Sequence, residues 1–323
     1  MSHNVETMAY VGDVPWHGLG EKCEAGMSPQ EFRVKAGLDW DVYKVNDHVE
    51  INGVWVPSGS QKLVRTSDQK IFSSSVTEEW NPLTVDEHFN FFEDICIDGG
   101  MDMHTAGSLR DGEIIWALAK IKEEAFELFG GDRVDSYLLL TNFFQYGRST
   151  DCRWTPIRVV CNNTLSMALS KANAANSVRV SHRHPFNGEQ VKEMLGVARE
   201  KLGQYKEMAE FLGRRKASKA KIAEYFKDVF PGAELKNEKA KAENAERASL
   251  GHVARMAYDA LHEQPGAEYA EGSWWQPFNA VTYVVDHMKG RSNDTRMESA
   301  WYGNGMRTKN TALQKAIEYA EAE

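Results

Sequence analysis

Alternation of apolar and polar residues predicts antiparallel strands in the first half of the chain. Residues 39–59 alternate in this way on both sides of Asn52-Gly53. Asn-Gly is a strong hairpin signal, because both residues tolerate the positive φ angles of a two-residue turn. The same pattern recurs in residues 62–76, with a turn near Asp68-Gln69, and in residues 105–121, with a turn at Asp111-Gly112. The pattern therefore predicts consecutive hairpins.

A further hairpin and two helices follow from the same kind of pattern. Residues 137–145 and 153–161 form two more apolar runs. Asn162-Asn163 then breaks the second run, and residues 164–175 have the composition of a helix. Upstream, residues 84–96 predict a helix in which Thr84 is the N-cap and Glu87 occupies the capping-box position.

From residue 187 onward, apolar residues recur at steps of three and four, which predicts helices. Asn187 and Ser218 stand at N-cap positions, Pro231-Gly232 marks a helix end, and residues 240–261 read as one exposed or oligomer-facing helix. The predicted fold class is α+β, with a central antiparallel β-sheet of hairpins plus helix and a helical C-terminal half. The predicted domains are an acidic region of strands and helix at 1–104, a β-hairpin and helix core with a basic face at 105–188, and a helical region at 189–323.

Charge is distributed unevenly along the chain. The formal net charge is −9, and residues 1–105 alone carry 7 basic and 18 acidic side chains. Between Arg148 and His184, by contrast, six Lys or Arg face one acid, Asp151. A local excess of about +5 in an acidic chain predicts a polyanionic partner, and the phosphate backbone of single-stranded DNA fits this description.

Candidate contacts to that backbone are the six basic residues of this segment: Arg148, Arg153, Arg158, Lys171, Arg179 and Arg183. Arg binds phosphate oxygens through paired, charged hydrogen bonds. Phe143, Phe144, Tyr146 and Trp154 alternate with these charges, and we expect at most two of the four rings to be exposed. Tyr146, in the turn before Gly147, and Trp154 are the candidate base-stacking residues. The alternative is a sheet face whose charges pair within the chain.

Motifs for covalent chemistry are absent from the sequence. It contains no G-x-x-x-x-G-K-[ST] phosphate loop and no nucleophile, base or metal set at suitable spacing. His182-x-His184 would place two imidazoles on one face of a strand, but no further ligand lies at metal-site spacing. The four cysteines have no zinc or C-x-x-C spacing, which favours reduced thiols. We therefore expect no catalytic residue, no cofactor and no metal, and a binding function in place of an enzymatic one.

Neither the N-terminus nor the interior predicts membrane targeting. The first ten residues lack the basic and apolar regions of a signal peptide. No stretch reaches the roughly 18 apolar residues that a transmembrane helix needs. We expect a cytoplasmic protein, in the host cell if a phage encodes it.

Four ordered blocks carry a family resemblance. They are PWHGLG at 15–20, TAGSLRDGEIIWALAKI at 105–121, TPIRVVCNNTLSMAL at 155–169 and GSWWQPFNAVTYVVDH at 272–287. Together they resemble the phage/plasmid-like protein family, built around domain of unknown function 932. The resemblance implies a phage or plasmid context. The family is in turn similar, at a distance, to Rad52-type single-strand annealing proteins. That similarity implies a ring of subunits with a basic groove for single-stranded DNA.

The resulting hypothesis is a single-stranded DNA binding and annealing protein of DNA recombination that acts as a homo-oligomer. Trp274-Trp275, with Phe278 and Tyr283 nearby, is predicted to contribute to the subunit contact, because large aromatic residues are enriched at interfaces. The alternative for these rings is the core of their own subunit. The alternative function is an acidic phage protein that binds a host protein and has no DNA chemistry.

Overall fold

The computed structural model describes residues 5–13, 19–97, 100–122, 126–158, 163–164, 177–232, 245–289 and 296–322. These residues form an α+β structure with helices mostly in the C-terminal half, which confirms the predicted fold class. The chain divides into two compact units. Unit 1 comprises residues 1–123, 137–154 and 177–197, and unit 2 comprises residues 124–136, 155–176 and 198–323. The predicted division into three consecutive domains stays a prediction.

A mainly antiparallel sheet forms the centre of unit 1. Its strands run in the order β10, β9, β7, β6, β1 and β2, and β12 also pairs with β10. Among the described residues, β1 and β2 pair in parallel, whereas β1–β6, β6–β7, β7–β9 and β10–β12 pair antiparallel. The strand bounds are β1 Val5–Val11, β2 Glu21–Cys23, β6 Met101–Leu109, β7 Ile114–Ile121, β9 Arg133–Phe143, β10 Thr150–Arg158 and β12 Ser177–Val180. Of β9 and β10, residues 137–143 and 150–154 belong to unit 1. The alternation at 105–121 predicted β6 and β7, but β1 was not predicted.

Close backbone packing fixes the β6–β7 hairpin against β1. Arg110, Asp111 and Gly112 all have positive φ, which agrees with the predicted turn at Asp111-Gly112. A Cβ at Gly107 would lie 2.3 Å from the carbonyl oxygen of Thr7 and 2.5 Å from the ring of Trp116. Because such contacts exclude any side chain, glycine is needed there for β1 to approach β6.

A second, three-stranded sheet in unit 1 contains β3 Val42–Ile51, β4 Val54–Arg65 and β5 Ile71–Val76. Asn52 and Gly53 have φ angles of 53° and 81°, so they form the predicted two-residue turn. Arg65 of β4 donates to both carboxylate oxygens of Glu6 in β1, at 2.9 Å each, and also to Asp68. The Arg65 guanidinium lowers the pKa of the Asp68 carboxyl to about 2. This charged network connects the small sheet to the first strand of the main sheet.

Two helices complete the described part of unit 1, together with the first residues of α3 Gly188–Arg214. They are α1 Pro29–Lys35 and α2 Val85–Ile97. Thr84 and Glu87 form the predicted capping box, with the Glu87 amide donating to Thr84 Oγ1 at 3.1 Å and the Thr84 amide donating to Glu87 Oε2 at 2.9 Å. Phe89 and Phe92 are fully buried on one side of α2.

Unit 2 is mainly helical. Its helices are the C-terminal part of α3 Gly188–Arg214, α4 Lys219–Val229, α5 Ala245–Ala248, α6 His252–Glu263, α7 Trp275–Tyr283, α8 Arg296–Tyr302 and α9 Asn304–Glu321. A π-helical turn, Val284–Met288, follows α7, and the short strands β8 Phe126–Glu127 and β11 Asn163–Thr164 also belong to this unit. Asn187 and Ser218 accept backbone N–H groups at the starts of α3 and α4, as predicted.

One predicted helix of unit 2 is divided into two. Residues 240–261 were expected to form a single exposed helix, but α5 ends at Ala248 and α6 begins at His252. Gly251 provides the extended N-cap backbone of α6. Arg247 and Asp259 then join the two helices through a bidentate ion pair of 2.6 and 2.7 Å. Residues 240–244 and the helix predicted at 164–175 lie outside the described residues, except for Thr164 in β11.

Candidate nucleic-acid interface

Three of the described candidate contacts lie at one end of the main sheet of unit 1. Strands β9 and β10 are joined by a turn at residues 144–149. Strand β12 pairs antiparallel with β10, with Thr150 opposite Val180 and Arg153 opposite Ser177. The residues just before β10 and just after β12 therefore reach the same end of the sheet. Tyr146 and Arg148 in the turn, and Arg183 in the segment after β12, therefore lie towards this end of the sheet.

These three side chains define the sheet-end surface: Tyr146, Arg148 and Arg183. Tyr146 is 63% exposed. The Arg148 guanidinium lies 4.1 Å from the centre of the Phe143 ring, and Arg183 is exposed. Among the described residues, neither Arg148 nor Arg183 has a carboxylate partner. The surface therefore combines two free positive charges with an accessible aromatic ring.

Buried and half-buried polar groups hold the turn of the sheet-end surface in place. The Phe144 amide donates to the Glu113 carbonyl at 2.8 Å, and Gln145 Nε2 donates to the Glu113 carboxylate at 3.0 Å. Burial raises the pKa of Glu113, but hydrogen bonds from Ser73 and Gln145 outweigh it and leave the pKa below its ordinary value. Glu113 thus stays ionised and fixes the turn. The sequence does not indicate this role, because residues 113 and 145 are far apart in the chain.

Arg153 and Arg179 differ from the cations of the sheet-end surface. Arg153 Nε donates to Asp151 Oδ1 at 2.5 Å, and Arg179 Nε donates to Asp151 Oδ2 at 3.4 Å. Asp151 is 4% exposed, so the pair neutralises a buried carboxylate. Both arginines were predicted to contact phosphate, but here the alternative of intrachain ion pairing applies. Arg179 keeps an exposed side chain, whereas Arg153 is largely covered.

Exposure separates the four aromatic candidates. Phe143, Phe144 and Trp154 are buried, at 2%, 0% and 7% exposure, so only Tyr146 is accessible for base stacking. Trp154 was a predicted stacking residue, and its burial removes it from the set. Two predicted cations fall outside the description: Lys171 is not among the described residues, and for Arg158 only the backbone in β10 is described.

His182 and His184 do not share a strand face, contrary to the geometry considered for a metal pair. Strand β12 ends at Val180, and residues 181–184 form a turn. His182 is buried against Trp80, with ring centroids 4.3 Å apart, and its Nδ1 lies 3.0 Å from the Asn81 carbonyl oxygen. Burial lowers the pKa of His182 despite hydrogen bonds that favour protonation. Within the described residues, no group of three or more His, Cys, Asp or Glu could hold a metal ion.

The aromatic block at 272–287 lies in the core of unit 2. Trp274, Trp275 and Phe278 are all fully buried. Trp275 Nε1 donates to Asp132 Oδ2 at 3.1 Å, which satisfies both polar groups inside this unit. The prediction that Trp274 and Trp275 form a subunit contact is therefore wrong, because neither ring has surface to offer.

Residues 14–18, which include the Trp16-His17 motif, lie outside the described residues.

Asp286, at the end of the same block, is also used structurally. Its carboxylate accepts from Lys309 Nζ at 2.7 Å, and the two side chains are 6% and 2% exposed.

A family model described as "Domain of unknown function (DUF932)" matches residues 73–311. The chain belongs to this DUF932 family. No curated protein and no solved structure matches the chain. The matched residues contain both the sheet-end surface and the aromatic block.

Among the described residues, no helix is both long enough and apolar enough to span a bilayer.

Proposed function

We propose that this DUF932 protein binds single-stranded DNA and promotes pairing of complementary strands, as a homo-oligomer in the cytoplasm of a phage- or plasmid-bearing cell. A relation to Rad52-type annealing proteins is part of this proposal. The observation that carries it is the sheet-end surface, where exposed Tyr146 lies with Arg148 and Arg183, two cations without carboxylate partners among the described residues.

The chemistry of this surface suits a single strand better than a duplex. Arg148 and Arg183 can neutralise phosphates, which supplies affinity without reading sequence. Tyr146 can stack on an unpaired base, and stacking tolerates any base because each has a π-face. In a duplex the bases already stack on each other, so an exposed tyrosine gains little. A backbone held in this way leaves base edges free to pair with a second strand.

Anisotropy titrations with a fluorescent oligonucleotide test the binding claim. Single-stranded DNA should bind more tightly than the duplex of the same sequence at low salt. The paired variant Arg148→Ala plus Arg183→Ala should weaken binding, since it removes both unpaired cations. Arg214→Ala is the matched control, because Arg214 is also an exposed cation, on α3, but already pairs with Glu210 at 3.2 Å. Equal affinity of wild type and the paired variant would contradict the assignment.

Annealing is tested separately from binding. Two complementary strands labelled with a fluorophore and a quencher should pair faster with wild-type protein than alone, and the paired variant should lose most of this acceleration. Binding without acceleration would leave a single-stranded DNA binding protein that does not anneal. Absence of DNA binding at low salt would reject the proposal and favour the alternative, in which the protein binds a host protein. The net charge of −11 in residues 1–105 would then attract a basic partner.

A further inference from the structure

A cavity in unit 1 lies between helix α2 and the segment that leads from β12 into α3. Its volume is about 480 Å³, within the range of about 300–1,000 Å³ that is usual for small-molecule sites. The segment begins next to the sheet-end surface, because Pro185 follows Arg183 by two residues and their Cα atoms are at most about 7.6 Å apart. Helix α2 contributes Glu87, Asn90 and Phe91 to the lining, and residues 185–189 with Lys192 complete it.

Two phenylalanines form the aromatic part of the cavity. Phe91 of α2 and Phe186 meet edge to face, with ring centroids 5.8 Å apart and an angle of 77° between the ring planes. Phe91 is buried at 4% exposure, whereas Phe186 is only half-buried. Phe186 therefore supplies the accessible aromatic surface of the cavity, and Phe91 holds its ring in place.

The polar side chains of the α2 wall already have partners. The Thr84 amide and hydroxyl both donate to Glu87 Oε2, at 2.9 Å each. Asn90 accepts from Gln30 at 2.6 Å and donates to Asp86 at 2.8 Å. These bonds fix both side chains within the protein, so neither is poised to read the edge of a ligand.

The α3 wall is engaged in the same way. Asn187 Oδ1 accepts from the Gln190 amide at 3.1 Å, and Lys192 Nζ donates to Glu189 Oε1 at 2.8 Å. The lining contains two carboxylates, of Glu87 and Glu189, and one ammonium, of Lys192. The resulting excess of one negative charge repels a phosphate, whereas an uncharged planar ring can enter and stack on an aromatic side chain.

We propose that the cavity receives an unpaired nucleobase of the strand whose phosphates contact the sheet-end surface, with Phe186 as the stacking ring. This inference rests on the proposed function and adds a second base contact to that of Tyr146. Arg183 holds a phosphate, and Phe186, three residues further on, holds a base. Because the polar lining is already engaged, the contact tolerates any base. A duplex has no unpaired base to offer, so the cavity adds to the preference for single strands.

A strand without bases separates base contacts from phosphate contacts. Anisotropy titrations compare a single-stranded oligonucleotide with an abasic strand of the same length. Phe186→Ala should weaken binding of the normal strand by about 5- to 150-fold, the loss expected for one stacked base. Binding of the abasic strand should stay unchanged, because the variant removes no cation. A variant that only damaged the fold would weaken both.

Three further variants serve as controls. Arg148→Ala plus Arg183→Ala should weaken binding of both strands, since it removes phosphate contacts, and it thereby tests the proposed function separately. Phe186→Tyr keeps the ring and should bind both strands like the wild type. Met194→Ala removes a 49% exposed apolar side chain of α3 that lies outside the lining, and it should change neither affinity.

Phe186→Leu gives a second route if the alanine variant does not fold, which circular dichroism checks. Leucine fills most of the space beside Phe91 but cannot stack, so it should show the same loss, on the normal strand only. An equal loss on both strands, or no loss on either, would overturn the proposal and leave the sheet-end surface as the whole contact. Failure of the wild type to bind either strand would reject the proposed function as well.

Discussion

The sheet-end surface of unit 1 and the aromatic block of unit 2 use similar residues in opposite ways. In the block, Trp275 and Asp286 are buried and each has a polar partner, in Asp132 and Lys309. At the sheet end, Tyr146 is exposed, and Arg148 has the face of Phe143 but no carboxylate among the described residues. The sequence predicted a binding role for both regions, from cations and aromatic rings at the sheet end and from large aromatic rings in the block. The difference shows what separates a core from a binding surface: whether the polar groups have partners within the protein matters more than the residue composition.

The largest effect is expected in unit 2. Lys309→Met should lower the free energy of unfolding by about 3–5 kcal/mol, because it leaves the Asp286 carboxylate buried without its cation. Urea denaturation measures the loss. The double variant Lys309→Met plus Asp286→Leu should recover much of it, since no buried charge remains. A loss below about 1 kcal/mol in the single variant would show that Asp286 is hydrated, and the contrast with the sheet end would weaken.

A second prediction concerns the sheet end itself. Tyr146→Ala should weaken binding of single-stranded DNA by about 1–3 kcal/mol, the range for loss of one stacked base, and should leave stability unchanged because the ring is exposed. Anisotropy at low salt and thermal unfolding provide the two readouts. Tyr146→Phe is the control and should bind like the wild type, since it keeps the ring. Unchanged affinity in the alanine variant would remove the stacking role.

Arg153 and Arg183 sharpen the comparison within one sheet. Arg153→Ala should lower the free energy of unfolding by about 1–3 kcal/mol, towards the lower end of that range. The buried Asp151 carboxylate would keep Arg179 as its cation among the described residues. Arg183→Ala should change stability by less than about 0.5 kcal/mol and should instead weaken DNA binding. The reverse pattern would mean that Arg153 contacts phosphate and that Arg183 is structural.

His88 provides a buried group without a polar partner, in contrast to Lys309. Its ring is fully buried beside Phe89 and Phe92, neither nitrogen has a hydrogen-bond partner among the described residues, and burial lowers its pKa to about 3. The unfolded chain binds a proton near pH 6.5, so stability should fall by up to about 1.4 kcal/mol per pH unit below that value, until the folded pKa is reached.

The comparison of wild type with His88→Leu isolates this contribution. Urea denaturation at pH 7.5 and at pH 5.5 should show that the variant loses about 1.4 kcal/mol less than the wild type on acidification. An equal loss in both proteins would mean that His88 is hydrated or paired when protonated. Other histidines, such as His182, affect both proteins alike and cancel in the difference.

Turns and helix caps could be predicted because they depend on neighbouring residues, whereas strands that depend on distant pairing partners could not. The turns at Asn52-Gly53 and Asp111-Gly112 and the capping box at Thr84 depend on residues close in sequence, and each agrees with the structure. Strand β1 depends on pairing with β6, about a hundred residues away, and its own alternation is too short to predict it.

Exposure was harder to predict than secondary structure. Trp275 is buried because distant elements cover it, and no periodicity within its helix indicates that. The pairing of Arg153 with Asp151, by contrast, was open to prediction, since residues i and i+2 of a strand share a face. The free cations Arg148 and Arg183 became distinguishable from the paired ones only through the register of β10 and β12.

The salt dependence of DNA affinity tests the central claim most directly. Binding of a single-stranded oligonucleotide should weaken as salt rises, with log affinity linear in log salt and a slope of about −0.7 for each phosphate contacted. Removal of Arg148 and Arg183 together should reduce the magnitude of that slope by about 1.4, whereas Arg214→Ala should leave it unchanged. Absence of binding at low salt, or a slope that is the same in wild type and in the paired variant, would contradict the account.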